Sequence, residues 1–322
     1  MYLLLFMIGF ELDLKEMMKK SEFILKGSVG IILLEALFGG ILLHLVFECD
    51  WTLSFLIALS FATVGEAILL PILDEFKIIN TKLGQTIIGI GTLDDLIEVF
   101  TLVLLVGLVG SRLHTPLDLG IVLISLIILF LLTLAFTRLK KKSEKFKIFE
   151  IETLFLFSIF VVFLFLGIGE YAESSALAAL LAGISLKSFI PSTRLKLIED
   201  EIRSICYGFF APIFFLWVGL SMNITYLTSY PSLILLVVFV SGLGKLLGSI
   251  IVGKNYLGLK QSVLLGIGLC ARFSTSIVII KILYENQIIT SGLYSVLVAS
   301  TLVFTFGIPI LFSNLLARWF RK

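Results

Sequence analysis

Seven ionisable side chains fall inside otherwise apolar stretches: Glu35, Glu66, Asp94, Asp95, Glu98, Lys245 and Arg272. Each costs about 2.5–3.5 kcal/mol at a helix centre on membrane-insertion scales, so such residues face a protein interior or a water cavity and pair with one another. The densest group is G-I-G-T-L-D-D-L-I-E, Gly89 to Glu98. Asp94 and Glu98 are four apart and Asp95 and Glu98 three apart, which puts three carboxylates on one broad face of a single helix. Neighbouring buried carboxylates cannot all ionise comfortably, and their protons leave in coupled steps. A cation that sheds its water and binds there expels a proton, so two ligands compete for one site. The alternative is a structural ion-pair network between helices. Against it, these three acids face only two intramembrane bases, Lys245 and Arg272, and charge is left unbalanced.

The elements that must position these groups follow from composition. Of 322 residues, 59% are hydrophobic and 15% charged, and the mean hydropathy is +1.12. A soluble domain has about 45–50% apolar and about 25% charged residues. The chain is therefore expected to be an all-α polytopic membrane protein, and a soluble enzyme, a disordered chain and a disulfide scaffold are excluded. The net charge of +2 gives no reason to expect a nucleic-acid partner. Cys49, Cys206 and Cys270 are isolated, and His44 and His114 lie far apart, so no zinc or haem spacing is present. No cofactor is expected beyond transported ions.

Apolar windows place spans at 23–47, 51–72, 83–110, 117–137, 151–169, 174–190, 206–222, 231–253, 258–284 and 290–314, with a half-span at the N-terminus. The loops at 11–26, 73–82, 138–147, 187–203 and 254–260, with the tail 315–322, hold 21 of the 25 basic residues, while the alternate loops are assigned only Arg112 and, from the end of span 258–284, Lys281. The positive-inside rule then puts the first set, and the C-terminus, in the cytoplasm of a cell-membrane protein. The whole chain reads as one transmembrane domain.

Two spans carry interruptions. F-A-T-V-G-E-A-I-L-L-P (Phe61–Pro71) places Thr63, Gly65 and Glu66 in the middle of one, and G-I-G-L-C-A-R-F-S-T-S (Gly266–Ser276) places two glycines, Arg272 and three hydroxyls in the middle of another. Small and polar residues at that depth are tolerated where a helix unwinds inside protein, and the freed backbone groups can bind ions. Either stretch alone is equally compatible with close packing of small residues. Lys245 lies too deep to reach a surface easily and is expected to pair with Asp94, or secondly Glu98. Arg272 is expected to stabilise its interruption with Glu66 or Glu98, and Glu35 is as compatible with a structural as with a functional role.

A series of motifs then points to a family: L-L-L-F-M-I-G-F-E-L-D-L-K (Leu3–Lys15), L-P-I-L-D-E-F (Leu70–Phe76), G-Q-T-I-I-G-I-G-T-L-D-D (Gly84–Asp95), A-L-A-A-L-L-A-G-I-S-L (Ala176–Leu186), F-F-A-P-I-F-F-L-W-V-G-L-S (Phe209–Ser221) and G-K-L-L-G-S (Gly244–Ser249). From first residue to last, the chain resembles the cation:proton antiporter-2 family. The resemblance implies an NhaA-type fold with inverted repeats, two crossed discontinuous helices, a dimerisation domain (hence a homodimer in the lipid bilayer) and an elevator movement of the core. It implies Asp95 as the ligand of both cation and proton, Asp94 as the acid paired with Lys245, Thr63 as a Na+ ligand, and Arg272 as a basic position of the second broken helix. Glu66 and Glu98 are additional acids, Glu66 read as a supporting ligand and Glu98 as a charge partner. The family has about two more spans ahead of its L-L-x-F-x-I-G motif, so the chain is expected to begin partway through a span.

The expected activity is exchange of a monovalent cation, Na+ first, for protons by alternating access, with a potassium-efflux system or cation channel as the alternative. An intramembrane aspartyl protease needs two aspartates on two facing helices, and Asp94 and Asp95 are adjacent on one.

Overall fold

The computed structural model describes residues 2–11, 22–109, 116–139, 151–171, 175–272 and 274–320. Every regular element among them is a helix: α1 (Tyr2–Glu11), α2 (Glu22–Phe47), α3 (Trp51–Phe61), α4 (Glu66–Glu75), α5 (Lys82–Val109), α6 (Pro116–Leu139), α7 (Ile151–Tyr171), α8 (Ser175–Phe189), α9 (Ser192–Ile205), a π-helical turn (Cys206–Phe210), α10 (Ala211–Leu220), α11 (Ile224–Ser229), α12 (Pro231–Leu257), α13 (Leu259–Leu269), α14 (Ser274–Glu285) and α15 (Ser291–Phe320). Among the described residues, five helices are long and apolar enough to cross a membrane: Glu22–Phe47, Glu152–Tyr171, Arg194–Leu220, Pro231–Leu257 and Ser291–Trp319. The expected all-α polytopic architecture is present.

The chain divides into two compact units, Met1–Asp13 with Val106–Leu220, and Leu14–Leu105 with Ser221–Lys322. In the first, α1 lies along α8. Gly183 permits that approach, because a Cβ there would collide with the backbone of Phe6, Gly9 and Phe10. Phe136 of α6, Phe157 and Phe165 of α7 and Phe189 of α8 form an aromatic cluster with ring centroids 5.4 to 6.3 Å apart. Within 187–203, expected to be a loop, the chain forms α9 instead. Its Ile198 and Ile202 are buried while Lys196, Asp200 and Glu201 are exposed, and Arg203 pairs with Glu199 at 3.0 Å. Amphipathic spacing makes this basic connection a helix.

In the second unit, α2 packs on α3 and α12, and α12 packs on α13. Between α2 and α3 the chain reverses through Glu48, in the left-handed region at φ 55°. The neighbouring Cys49 is half-buried, whereas Cys206 and Cys270 are buried. Burial pushes the Cys49 thiol above its ordinary value, which lowers the thiolate fraction near neutrality. Maleimide labelling of the folded protein should therefore modify Cys49 slowly at pH 7 and much faster as the pH rises above 9. A rate independent of pH across that interval would contradict the assignment.

Lys281 departs from expectation. It lies in α14 and is 1% exposed. Its ammonium reaches the Ser221 hydroxyl at 2.7 Å and Glu285 at 2.7 Å, and it sits over the rings of Tyr284 and Tyr294. An i, i+4 carboxylate and two aromatic faces compensate the buried charge, so a residue assigned to an outer loop is part of the helix packing.

Candidate functional site: a buried charge cluster where two helix breaks meet

Small residues bring the elements of the site together. A Cβ on Gly244 would meet the Cα of Glu35 at 2.9 Å, and one on Gly248 the Cα of Ile31 at 3.1 Å. The G-x-x-x-G spacing thus lays α12 directly on α2, as small residues do between membrane helices. On the other side, a Cβ on Gly266 of α13 would lie 2.8 Å from the Cα of Leu246. Lys245, one residue from Gly244, is held between these contacts and is 1% exposed.

The two interruptions expected from sequence are present, and they meet. Helix α3 stops at Phe61 and α4 starts at Glu66, while α13 stops at Leu269 and α14 starts at Ser274. The amide of Gly65 donates to the carbonyl of Ala271 at 2.6 Å. The approach depends on glycine, since a Cβ on Gly65 would lie 3.1–3.3 Å from the Arg272 backbone. The Thr63 hydroxyl hydrogen-bonds to the Ser276 hydroxyl.

Where helices stop, carbonyls lose their intrahelical partners and carry negative partial charge. Lys245 supplies what they lack: its ammonium donates to the carbonyl of Thr63 and, at 2.9 Å, to that of Leu269. One cation thereby ties together both breaks. It also faces two buried carboxylates, with Glu35 Oε2 at 3.4 Å and Asp94 Oδ2 at 3.8 Å.

Arg272 is fully buried. It donates to Glu35 Oε1 at 2.5 Å and to the Ser241 hydroxyl, and Ser241 in turn donates to Glu35. The guanidinium lies between two rings, 3.9 Å from the centre of Phe61 and 4.7 Å from that of Phe304, a favourable arrangement for a desolvated cation. Glu35, Ser241, Phe61, Ala58 and Val237 line a cavity of about 20 Å³, which is space for about one water molecule.

The structure thus brings Thr63, Asp94, Lys245 and Arg272 into one cluster. Lys245 faces Asp94 as expected; among the described residues the carboxylate that Arg272 meets is Glu35, and the two partners expected for it from sequence, Glu66 and Glu98, have side chains outside the described residues. Glu66 opens α4, and Asp95 and Glu98 follow Asp94 along α5, while the side chains of Glu66, Asp95 and Glu98 lie outside the described residues. Sequence reasoning missed Ser241, counted Ser276 only as one of three hydroxyls of the second interruption, and gave Glu35 no definite place. The available signal was its acidity deep in an apolar span, in a helix facing the G-x-x-x-G of α12.

Comparison with known proteins gives the family of the chain. The family described as sodium/hydrogen exchanger, transmembrane, matches residues 1–318. A Na+/H+ antiporter of Enterococcus hirae is 27% identical over 99% of this chain and 82% of its own length. The Na+/H+-K+ antiporter GerN of Bacillus cereus is 22% identical over 95% of this chain and 79% of its own. The ammonium/H+ antiporter subunit AmhT of Alkalihalophilus pseudofirmus is 26% identical over 86% and 71%. A match of this extent, on a chain whose described regular elements are all helices, five of them long and apolar enough to cross a membrane, makes the protein a multi-pass member of the transmembrane sodium/hydrogen exchanger family.

Proposed function

We propose that the protein exchanges a monovalent cation, Na+ first, for protons by alternating access, with Asp94 and Asp95 as the site where the two compete. The observation that carries this reading is the placement of Asp94 beside Lys245 at the meeting of two helix breaks. There, freed backbone groups and a carboxylate lie together at a depth where a dehydrated cation needs both. Asp95 is the obligatory ligand and proton carrier. Thr63 supplies an oxygen ligand and Glu66 an additional acid, while Lys245, Arg272 and Glu98 balance charge. Na+/H+ exchange by the E. hirae relative supports Na+ as the cargo. The functional form is a homodimer in the cell membrane with its C-terminus in the cytoplasm, as the basic loops indicate.

Proteoliposomes carrying an internal acid and a pH-sensitive dye test the reading. External Na+ should dequench the dye in a protein-dependent manner, and no response to Na+, Li+ or K+ would defeat it. The name of GerN, which includes K+ beside Na+, keeps a potassium-efflux system or channel as the second reading. That reading requires cation current that persists without any proton gradient.

A further inference from the structure

We propose that Glu35 is a second docking carboxylate for Lys245, to which the third proton of the ammonium turns when a cation takes its place at Asp94. The inference deepens the exchange reading above and rests on it.

Three observations carry it. First, two of the three Lys245 protons go to the carbonyls of Thr63 and Leu269, which fixes the nitrogen where the two breaks meet whatever the third proton does. Second, the remaining direction faces two carboxylates at similar range, Glu35 Oε2 at 3.4 Å and Asp94 Oδ2 at 3.8 Å. Coulomb attraction at these separations differs by only about one tenth, so the occupant of Asp94 decides which carboxylate the lysine favours. Third, Glu35 is held for the purpose at one end only. Arg272 and Ser241 bind Oε1, while Oε2 is buried without a hydrogen-bond partner among the described residues. The water-sized cavity beside Glu35 and Ser241 gives the side chain room to shift.

The charged and titratable groups around this pair are Arg272 and Cys270 beside the second break, Asp94 on α5 and Lys245 on α12. The side chains of Asp95 and Glu66 lie outside the described residues. With Glu35 present, the arriving cation displaces an ammonium that already has another carboxylate. Without it, the cation must compete with a lysine that has nowhere else to go. Glu35 is thus a positioning residue that sets cation affinity through Lys245.

A double-mutant cycle tests this. Na+ affinity is read as Na+-dependent thermal stabilisation of the detergent-purified protein, which does not require transport. Glu35→Gln should weaken Na+ binding about tenfold, a coupling within the range seen for contacting charged residues. In a Lys245→Gln background the same substitution should leave Na+ affinity unchanged, because no ammonium remains to be docked. An equal loss in both backgrounds would show that Glu35 acts through Arg272 or the fold and would overturn the proposal, as would an unaltered affinity in Glu35→Gln alone. Where Glu35→Gln does not give folded protein, Glu35→Asp takes its place, with an expected loss of about threefold that again vanishes without the lysine. A wild-type protein that moves no protons in response to Na+ fails at a different step and removes the exchange reading, and this proposal with it.

Discussion

Asp95→Asn abolishes cation-driven dequenching in proteoliposomes, leaving the rate of protein-free vesicles. The substitution keeps the size of the side chain and removes both its charge and its exchangeable proton. A neutral amide offers one carbonyl oxygen to a dehydrated cation and cannot carry H+ back. Desolvating the cation at that depth then finds no compensating charge. Asp94→Asn should be less severe, because Glu35 still faces the Lys245 ammonium at 3.4 Å; it should alter the apparent cation affinity before it removes exchange. Both proteins are to be compared at matched reconstitution levels. Undiminished exchange in Asp95→Asn would take the site away from the paired aspartates.

Arg272→Ala has the largest expected effect on stability. Removing one partner of a buried, hydrogen-bonded ion pair costs about 3–5 kcal/mol, chiefly because the surviving charge is stranded. Arg272 is fully buried and shares Glu35 with Ser241, and its guanidinium fills the gap between Phe61 and Phe304. Lys245 remains near Glu35, which places the cost at the lower end of that range. The melting temperature in detergent should fall clearly for Arg272→Ala. The double substitution Arg272→Leu with Glu35→Leu should recover much of the loss, since replacing a whole buried pair with apolar side chains is often neutral or stabilising. A double variant less stable than Arg272→Ala would show that the pair does more than neutralise itself.

The backbone breaks were legible because they rest on local chemistry. Thr63, Gly65 and Glu66, like Gly266, Gly268 and Arg272, are residue types that an uninterrupted apolar helix has no use for, and both helices stop within a few residues of them. Lys281 misled for the opposite reason. A lysine near the end of an apolar stretch looks like a loop residue, and only the Ser221 hydroxyl, the Glu285 carboxylate and two tyrosine rings make its burial tolerable. Three of those four partners lie on its own helix or the next one, yet apolar windows do not register them. The basic stretch containing α9 reads as a loop because its charges outweigh its apolar stripe, although Ile198 and Ile202 fall at helical spacing.

By itself the sequence determined that this chain folds as membrane helices, where two of them unwind, and that acids and bases lie below the surface, because hydropathy, glycine content and the cost of intramembrane charge are all read along the chain. It could not determine which acid meets Arg272. Glu35 is 237 residues from Arg272, and any of several acids satisfied the need for a partner. The choice was made by the close approach of α12 to α2 at Gly244 and Gly248 and by the contact of the two breaks at Gly65. These contacts set distances to within an ångström, and in a low-dielectric interior that is the scale on which electrostatic pairing is decided.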